Sequence, residues 1–80
     1  MIRVLFFGPV AERVGARQLD LPFRAGLRWQ DVRDMLQPRY PDAFALVSIV
    51  AVDGERVRDE PGPPLSDRCE IVFMSPFSGG

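Results

Sequence analysis

Ile2-Arg3-Val4-Leu5-Phe6-Phe7, closed by Gly8-Pro9, is the stretch on which the fold turns. Its β-branched and aromatic residues run without a breaker, which predicts a strand. Alternation puts Ile2, Val4 and Phe6 on one face and Arg3, Leu5 and Phe7 on the other. Cys69-Glu70-Ile71-Val72-Phe73-Met74, near the opposite end, repeats the pattern. There Ile71 and Phe73 point inward with Cys69, leaving Glu70, Val72 and Met74 outside.

The chain between these strands is divided by glycine and proline. Val10 to Val14 reads as a helical turn ended by Gly15, a residue suited to the left-handed stop. Arg17 to Phe23 alternates, with Leu19, Leu21 and Phe23 inward. Pro22 cannot donate to a ladder and so predicts a sheet edge. After Ala25-Gly26, the spacing of Trp29, Val32 and Leu36, with Met35 beside them, predicts a helix to about Gln37. Gln30, Asp31, Arg33 and Asp34 are expected to face water. Arg28 is a poor cap for this helix, Asp31 suits its first turn, and Pro38 stops it. Tyr40-Pro41-Asp42-Ala43 reads as a connector leading to a short turn. Ser48 to Val52, almost wholly apolar, predicts a short central strand. Asp53-Gly54 is a hairpin signal, because a type I′ turn needs positive φ at both central residues. Glu55 to Arg58 returns, Asp59 to Pro64 makes a stiff loop, Leu65 anchors it, and Ser66-Asp67-Arg68 turns into the last strand.

This order of elements, with one main helix to lay across a mixed sheet of four or five strands, predicts an α+β fold of the β-grasp, ubiquitin-like layout. In that layout the first and last strands lie parallel in the middle of the sheet. The chain is expected to be a single domain over residues 1–80, with 75–80 a protruding C-terminal tail.

Composition restricts the chemistry. Ten basic residues face eleven acidic ones, a net charge of −1, without the basic stripe of a phosphate-binding nucleic-acid module. All ten are arginine, and lysine and histidine are absent. A His base, a Lys Schiff base and a nitrogen-ligated metal site are thereby excluded, and no multi-thiolate site can form from one cysteine. The carboxylates Asp31, Asp34, Glu55 and Glu70 lack the spacing of a catalytic pair or metal cage. Cys69 forms no intrachain disulfide, so the expected compartment is the cytoplasm. It lacks a neighbouring His or Lys to activate it and reads as a core residue. No apolar run approaches the roughly 20 residues of a membrane span.

Two features remain. The first is the ending Pro76-Phe77-Ser78-Gly79-Gly80. A bare glycine end can thread a channel that any Cβ would block, delivering the Gly80 carboxylate to another protein's catalyst. The second is apolar surface on the wrong face: if the first and last strands are neighbours, Leu5, Phe7, Val72 and Met74 form one exposed patch, continued by Phe77. Such a patch beside a tail predicts a protein interface.

The opening Val4-Leu5-Phe6-Phe7-Gly8-Pro9-Val10-Ala11-Glu12-Arg13-Val14-Gly15 resembles that of the small, sulfur-carrying subunit of molybdopterin synthase (the MoaD family, within the MoaD/ThiS ubiquitin-like group). The ending Glu70-Ile71-Val72-Phe73-Met74-Ser75-Pro76-Phe77-Ser78-Gly79-Gly80 is similar to that family's closing strand and tail. Arg68-Cys69 stands where Gly-Asp is common, and Ser75 where the first of two prolines is frequent.

The resemblance implies a non-catalytic carrier. A ubiquitin-activating-like adenylyltransferase would consume ATP to place a transient acyl-AMP on Gly80, with no cofactor or metal held stably. A sulfur donor protein would convert it to a thiocarboxylate. Pro76, Phe77, Ser78 and Gly79 would insert with Gly80 into the large catalytic subunit, in a heterotetramer, to supply sulfur for the molybdopterin dithiolene. Phe7 and Met74 would lie at the subunit contact. The alternatives are a carrier for thiamin thiazole or tRNA thiolation, a modifier attaching Gly80 to lysines of other proteins, and a plain binding module.

Overall fold

The computed structural model describes residues 1–58 and 62–76. Eight elements follow in order: β1 (Ile2–Phe6), α1 (Gly8–Val14), β2 (Gln18–Leu21), α2 (Trp29–Leu36), α3 (Pro41–Phe44), β3 (Ile49–Val52), β4 (Glu55–Val57) and β5 (Glu70–Met74). The five strands form one sheet in the order β2-β1-β5-β3-β4. β1 and β5 are parallel neighbours, with Val4 opposite Ile71 and Phe6 opposite Phe73. The other pairings, β1 with β2 and β3 with both β4 and β5, are antiparallel. The strand carrying Pro22 at its exit is an edge, and β3 is internal, as their composition requires.

Alternation builds the core. Ile2, Val4, Phe6, Val50, Ile71 and Phe73 are buried on one face of the sheet, where Val32 and Leu36 of α2 join them. Three rings tie the layers together. Phe73 stacks on Phe6 with centroids 6.3 Å apart, and Phe44 meets Phe73 edge-on at 5.0 Å. Such pairs add about 0.5–1.5 kcal/mol each beyond their burial.

Local chemistry sets the element ends. Gly15, at φ 83°, closes α1 with its N–H on the Ala11 carbonyl. Asp53 and Gly54, at φ 50° and 83°, form the hairpin turn with positive φ at both positions. Asp53 also caps the neighbouring strand, its carboxylate accepting the Glu70 N–H at 2.9 Å. Arg68 adopts φ 66°, so an arginine occupies a left-handed position that glycine takes without steric cost. Arg28 gives α2 no side-chain cap; instead Asp31 reaches back to accept the Arg28 N–H at 2.9 Å.

Several expectations need correction. Gly8-Pro9 ends the strand but also begins α1, because proline is tolerated in a helix's first turn. The short turn expected after Tyr40–Ala43 already begins within it: Pro41–Phe44 is helical and delivers Phe44 to the core. Gln30 is buried rather than facing water, whereas Met35 is 44% exposed. The cause lies beside α2. Gly62 is packed so closely that a Cβ there would lie 2.9 Å from the Trp29 indole and 3.6 Å from Gln30 Oε1. The Arg28 guanidinium donates to the Gly62 carbonyl, and the Leu65 N–H donates to the Leu27 carbonyl at 2.7 Å. This segment covers the start of α2. Ser75 is buried, so it belongs to the body, and Pro76 is the first exposed residue after β5.

Candidate functional site: an apolar patch where the last strand ends

Strand register fixes the face of the sheet opposite the core. Leu5 lies opposite Val72, and Val72 is opposite Ala51 on its other side. Met74 is opposite Ile49. Phe7 follows the last residue of β1 with its backbone still extended, at φ −131° and ψ 154°. It therefore continues the alternation and falls level with Met74 on the outer face. The structure thus assembles Leu5, Phe7, Val72 and Met74 in two adjoining rows. Phe7 is 48% exposed, while Leu5, Val72 and Met74 are half-buried.

β3 contributes two residues not singled out in the sequence, Ile49 and Ala51, which extend those rows across a third strand. The signal was present in the near-continuous apolarity of Ile49-Val50-Ala51-Val52. Only alternate residues are needed for the core, so the other two had to face something else.

The patch has defined borders. Gln18 of β2 pairs with Leu5, and Arg56 of β4 pairs with Ala51, so the Leu5–Val72–Ala51 row ends in a polar side chain at both edges of the sheet. Along the strands the next row is charged: Arg3 lies between Asp20 and Glu70. The outer face is thus apolar at the end where β5 leads to Pro76 and charged at the end where β5 begins. Phe7 also borders a cleft of about 640 Å³ shared with Ala11, Glu12 and Arg17. Phe77, Ser78, Gly79 and Gly80 lie outside the described residues, and Pro76 is exposed at their root.

The titratable groups with perturbed behaviour lie away from this patch. Burial, reinforced by the Asp53 carboxylate, pushes the Cys69 thiol up from its ordinary range. Such a thiol is a poor nucleophile at neutral pH. The Met1 ammonium, 2.8 Å from Asp67, holds that exposed carboxyl below its usual range. Among the described residues there is no cluster of three or more His, Cys, Asp or Glu side chains that could hold a metal ion. Nor is any helix there long and apolar enough to cross a membrane.

A mixed sheet with its first and last strands parallel at the centre, wrapped around one main helix, defines a ubiquitin-like β-grasp protein. Residues 4–80 match the ThiS family, and the chain belongs to it. The molybdopterin synthase sulfur carrier subunit of Caenorhabditis briggsae is 31% identical over 81 residues, covering 99% of this chain and 96% of that protein. Among solved structures, SAMP1 from Haloferax volcanii superposes with a TM-score of 0.77 at 21% identity, over 99% of this chain and 98% of that one. The complex of subunits 1 and 2 of molybdopterin-converting factor from Helicobacter pylori gives a TM-score of 0.71 at 21% identity, over 99% and 97% of the two chains. At these identities both structures speak for the fold.

Proposed function

We propose that this protein is a sulfur carrier and the small, non-catalytic subunit of a molybdopterin synthase. One observation carries the reading: the apolar rows of the outer face lie at the end of the sheet from which β5 leads to Gly79-Gly80. A partner gripping that patch holds the root of the tail and so directs its tip. The full-length likeness to a molybdopterin synthase sulfur carrier subunit supports the same assignment. So does the likeness to a solved complex of two converting-factor subunits.

The chemistry proceeds on the last residue. An adenylyltransferase of the ubiquitin-activating type joins a Gly80 carboxylate oxygen to the α-phosphate of ATP, releasing pyrophosphate. A persulfide on a donor protein attacks the Gly80 carbonyl carbon and AMP departs; a second thiol then attacks the donor's cysteine sulfur in the resulting acyl disulfide, forming a disulfide with the donor and releasing the Gly80 thiocarboxylate. In the large subunit the tail surrenders that sulfur to the dithiolene of molybdopterin. Gly79 and Gly80 give the tip the narrow cross-section such a channel demands, Pro76 to Ser78 span the distance to it, and the body supplies grip and direction. The cycle belongs to a reducing compartment, the cytoplasm, in keeping with one unpaired thiol.

Intact mass tests the proposal. The chain is incubated with ATP, its activating enzyme and the sulfur donor, and is expected to gain the difference between sulfur and oxygen. A chain lacking Gly79-Gly80 should fold, gain nothing and support no sulfur transfer. Retained transfer by the truncated chain overturns the carrier reading. Amide adducts on lysines of other proteins, without a thiocarboxylate, would identify a protein modifier instead.

A further inference from the structure

The exit of β5 is held past its last ladder pair, and the hold ends on a polar residue. Met74 closes the ladder opposite Ile49. Its carbonyl also accepts the Ser48 N–H at 3.0 Å, just beyond that pair. Ser75 then continues the inward alternation of Ile71 and Phe73 and is only 2% exposed. Among the described residues the buried polar side chains are Gln30 and Ser75. Gln30 lies under the segment at Gly62, whereas Ser75 lies at the root of the tail.

Folding alone does not ask for a serine at this inward position. Burying a hydroxyl costs free energy unless it is bonded, and an apolar residue of similar size avoids that cost. Ser75 makes a polar interaction, and its hydroxyl is not left buried and unsatisfied. Such a hydroxyl adds what alanine lacks, a fixed direction. Pro76 follows, exposed, with φ set by its ring, and it biases Ser75 toward extended backbone.

We propose that Ser75 is a positioning residue: its buried side chain sets the line on which the tail leaves the body, and so where the Gly80 carbonyl carbon arrives in the large subunit. This deepens the carrier reading and rests on it. Gly80 is four residues beyond Pro76, a reach of at most about 14 Å. A swing of roughly 15° at the root of such a lever moves its tip by about 3.5 Å. Reacting atoms must meet within about 3–3.5 Å, so that swing takes the tip out of contact. The outer-face patch supplies grip and Ser75 supplies aim. The two are separable, because Ser75 is on the opposite face from Leu5, Phe7, Val72 and Met74.

The test compares the native chain with Ser75→Ala, which removes the hydroxyl, and Ser75→Thr, which keeps it on a residue that favours extended backbone. Each full-length chain is converted to its Gly80 thiocarboxylate through a thioester and hydrosulfide, without an activating enzyme. It is then saturated with the large subunit and its pterin substrate, and intact mass follows the return of thiocarboxylate to carboxylate. Ser75→Ala should slow this single turnover roughly fivefold, the equivalent of one hydrogen bond. The chain should stay fully folded, with affinity for the large subunit within about twofold of native. Ser75→Thr should restore the rate. In the free chain, the Cα–H order parameter of Pro76 should fall from about 0.85 toward roughly 0.6 in Ser75→Ala and recover in Ser75→Thr.

An unchanged rate or an unchanged order parameter in Ser75→Ala overturns the proposal. So does a rate that falls only in step with affinity or with the folded fraction, which would make Ser75 a structural residue. A folded Ser75→Thr that stays slow overturns it as well; should that variant not fold, the native chain and Ser75→Ala decide between them. A native thiocarboxylate that yields no sulfur to the large subunit strikes the carrier reading instead. The order parameters need no partner and still show whether Ser75 holds the exit, so the two failures are distinguishable.

Discussion

The two faces of the sheet are made by the same strands yet obey different rules. On the inner face every residue of β1 and β5 is apolar and buried: Ile2, Val4, Phe6, Ile71 and Phe73. On the outer face those strands read Arg3-Leu5 and Glu70-Val72-Met74, charged where β5 begins and apolar where it ends. Burial on folding explains the first face completely, since a sheet this small needs one packed side. It does not explain the second, where arginine or threonine would serve the fold as well as Leu5 or Val72. Apolar residues that folding does not demand, gathered beside the exit of the last strand, are explained by a partner. The contrast separates what this sequence needs in order to fold from what it needs in order to work.

The sharpest way to break that contrast is to cut into each face in turn. Phe73→Ala removes a fully buried ring that touches both Phe6 and Phe44. It should cost about 3–5 kcal/mol of stability in urea unfolding, the usual range for a core Phe→Ala. Phe7→Asp changes a ring already 48% exposed, and its melting should stay within about 0.5 kcal/mol of the native chain. Its affinity for the large subunit should fall by roughly 2 kcal/mol or more, as for an aromatic anchor at an interface centre. Titration calorimetry of the purified pair measures this. If Phe7→Asp unfolds the protein, or binds as tightly as the native chain, the two faces do not divide the labour as described.

The inner face was the more legible in the sequence, for a physical reason. Strand alternation and the i, i+3, i+7 spacing of Trp29, Val32 and Leu36 record burial directly, and Gly15 and Asp53-Gly54 record backbone conformations that other residues resist. What escaped the reading was packing by irregular chain. Gln30 is buried because the segment at Gly62 lies over it, and no periodicity in α2 can announce a loop more than thirty residues away. Phe44 enters the core from a four-residue helix too short to show a repeat. Of the candidate site, Leu5, Phe7, Val72 and Met74 followed from alternation together with the expected pairing of the first and last strands. Ile49 and Ala51 required knowing that β3, not β2, is the other neighbour of β5.

Gly62 offers a smaller perturbation that sharpens the account of the inner layer. A Cβ there would approach Trp29 Cδ1 and Nε1 to 2.9 Å, closer than side-chain atoms pack. The indole is itself buried and cannot yield without disturbing Val32 and Leu36 in the same cluster. Gly62→Ala should therefore cost about 1–3 kcal/mol, the range for overpacking. The outer face is remote from this contact. Affinity for the large subunit should consequently be unchanged at temperatures where the variant is folded. Loss of binding in step with stability would show that the covering segment and the patch are coupled.

The least effect is expected where the charges are most exposed, at the end of the sheet farthest from the tail. Asp67 is held below its ordinary carboxyl range, chiefly by its hydrogen bond with the Met1 ammonium. A carboxyl whose value is lowered by folding binds fewer protons in the native state, so its contribution is present above the unfolded carboxylate range. That contribution is lost as pH falls through the range toward the lowered native value. Both partners are largely exposed, and solvent and salt screen the pair. Asp67→Asn should therefore make the acid limb of stability against pH slightly shallower and leave neutral stability almost unchanged. Raising the salt concentration should shrink even that difference. A steep acid loss that disappears with Asp67→Asn would mean this pair fastens the N-terminus of β1 to the turn before β5 more firmly than its exposure allows.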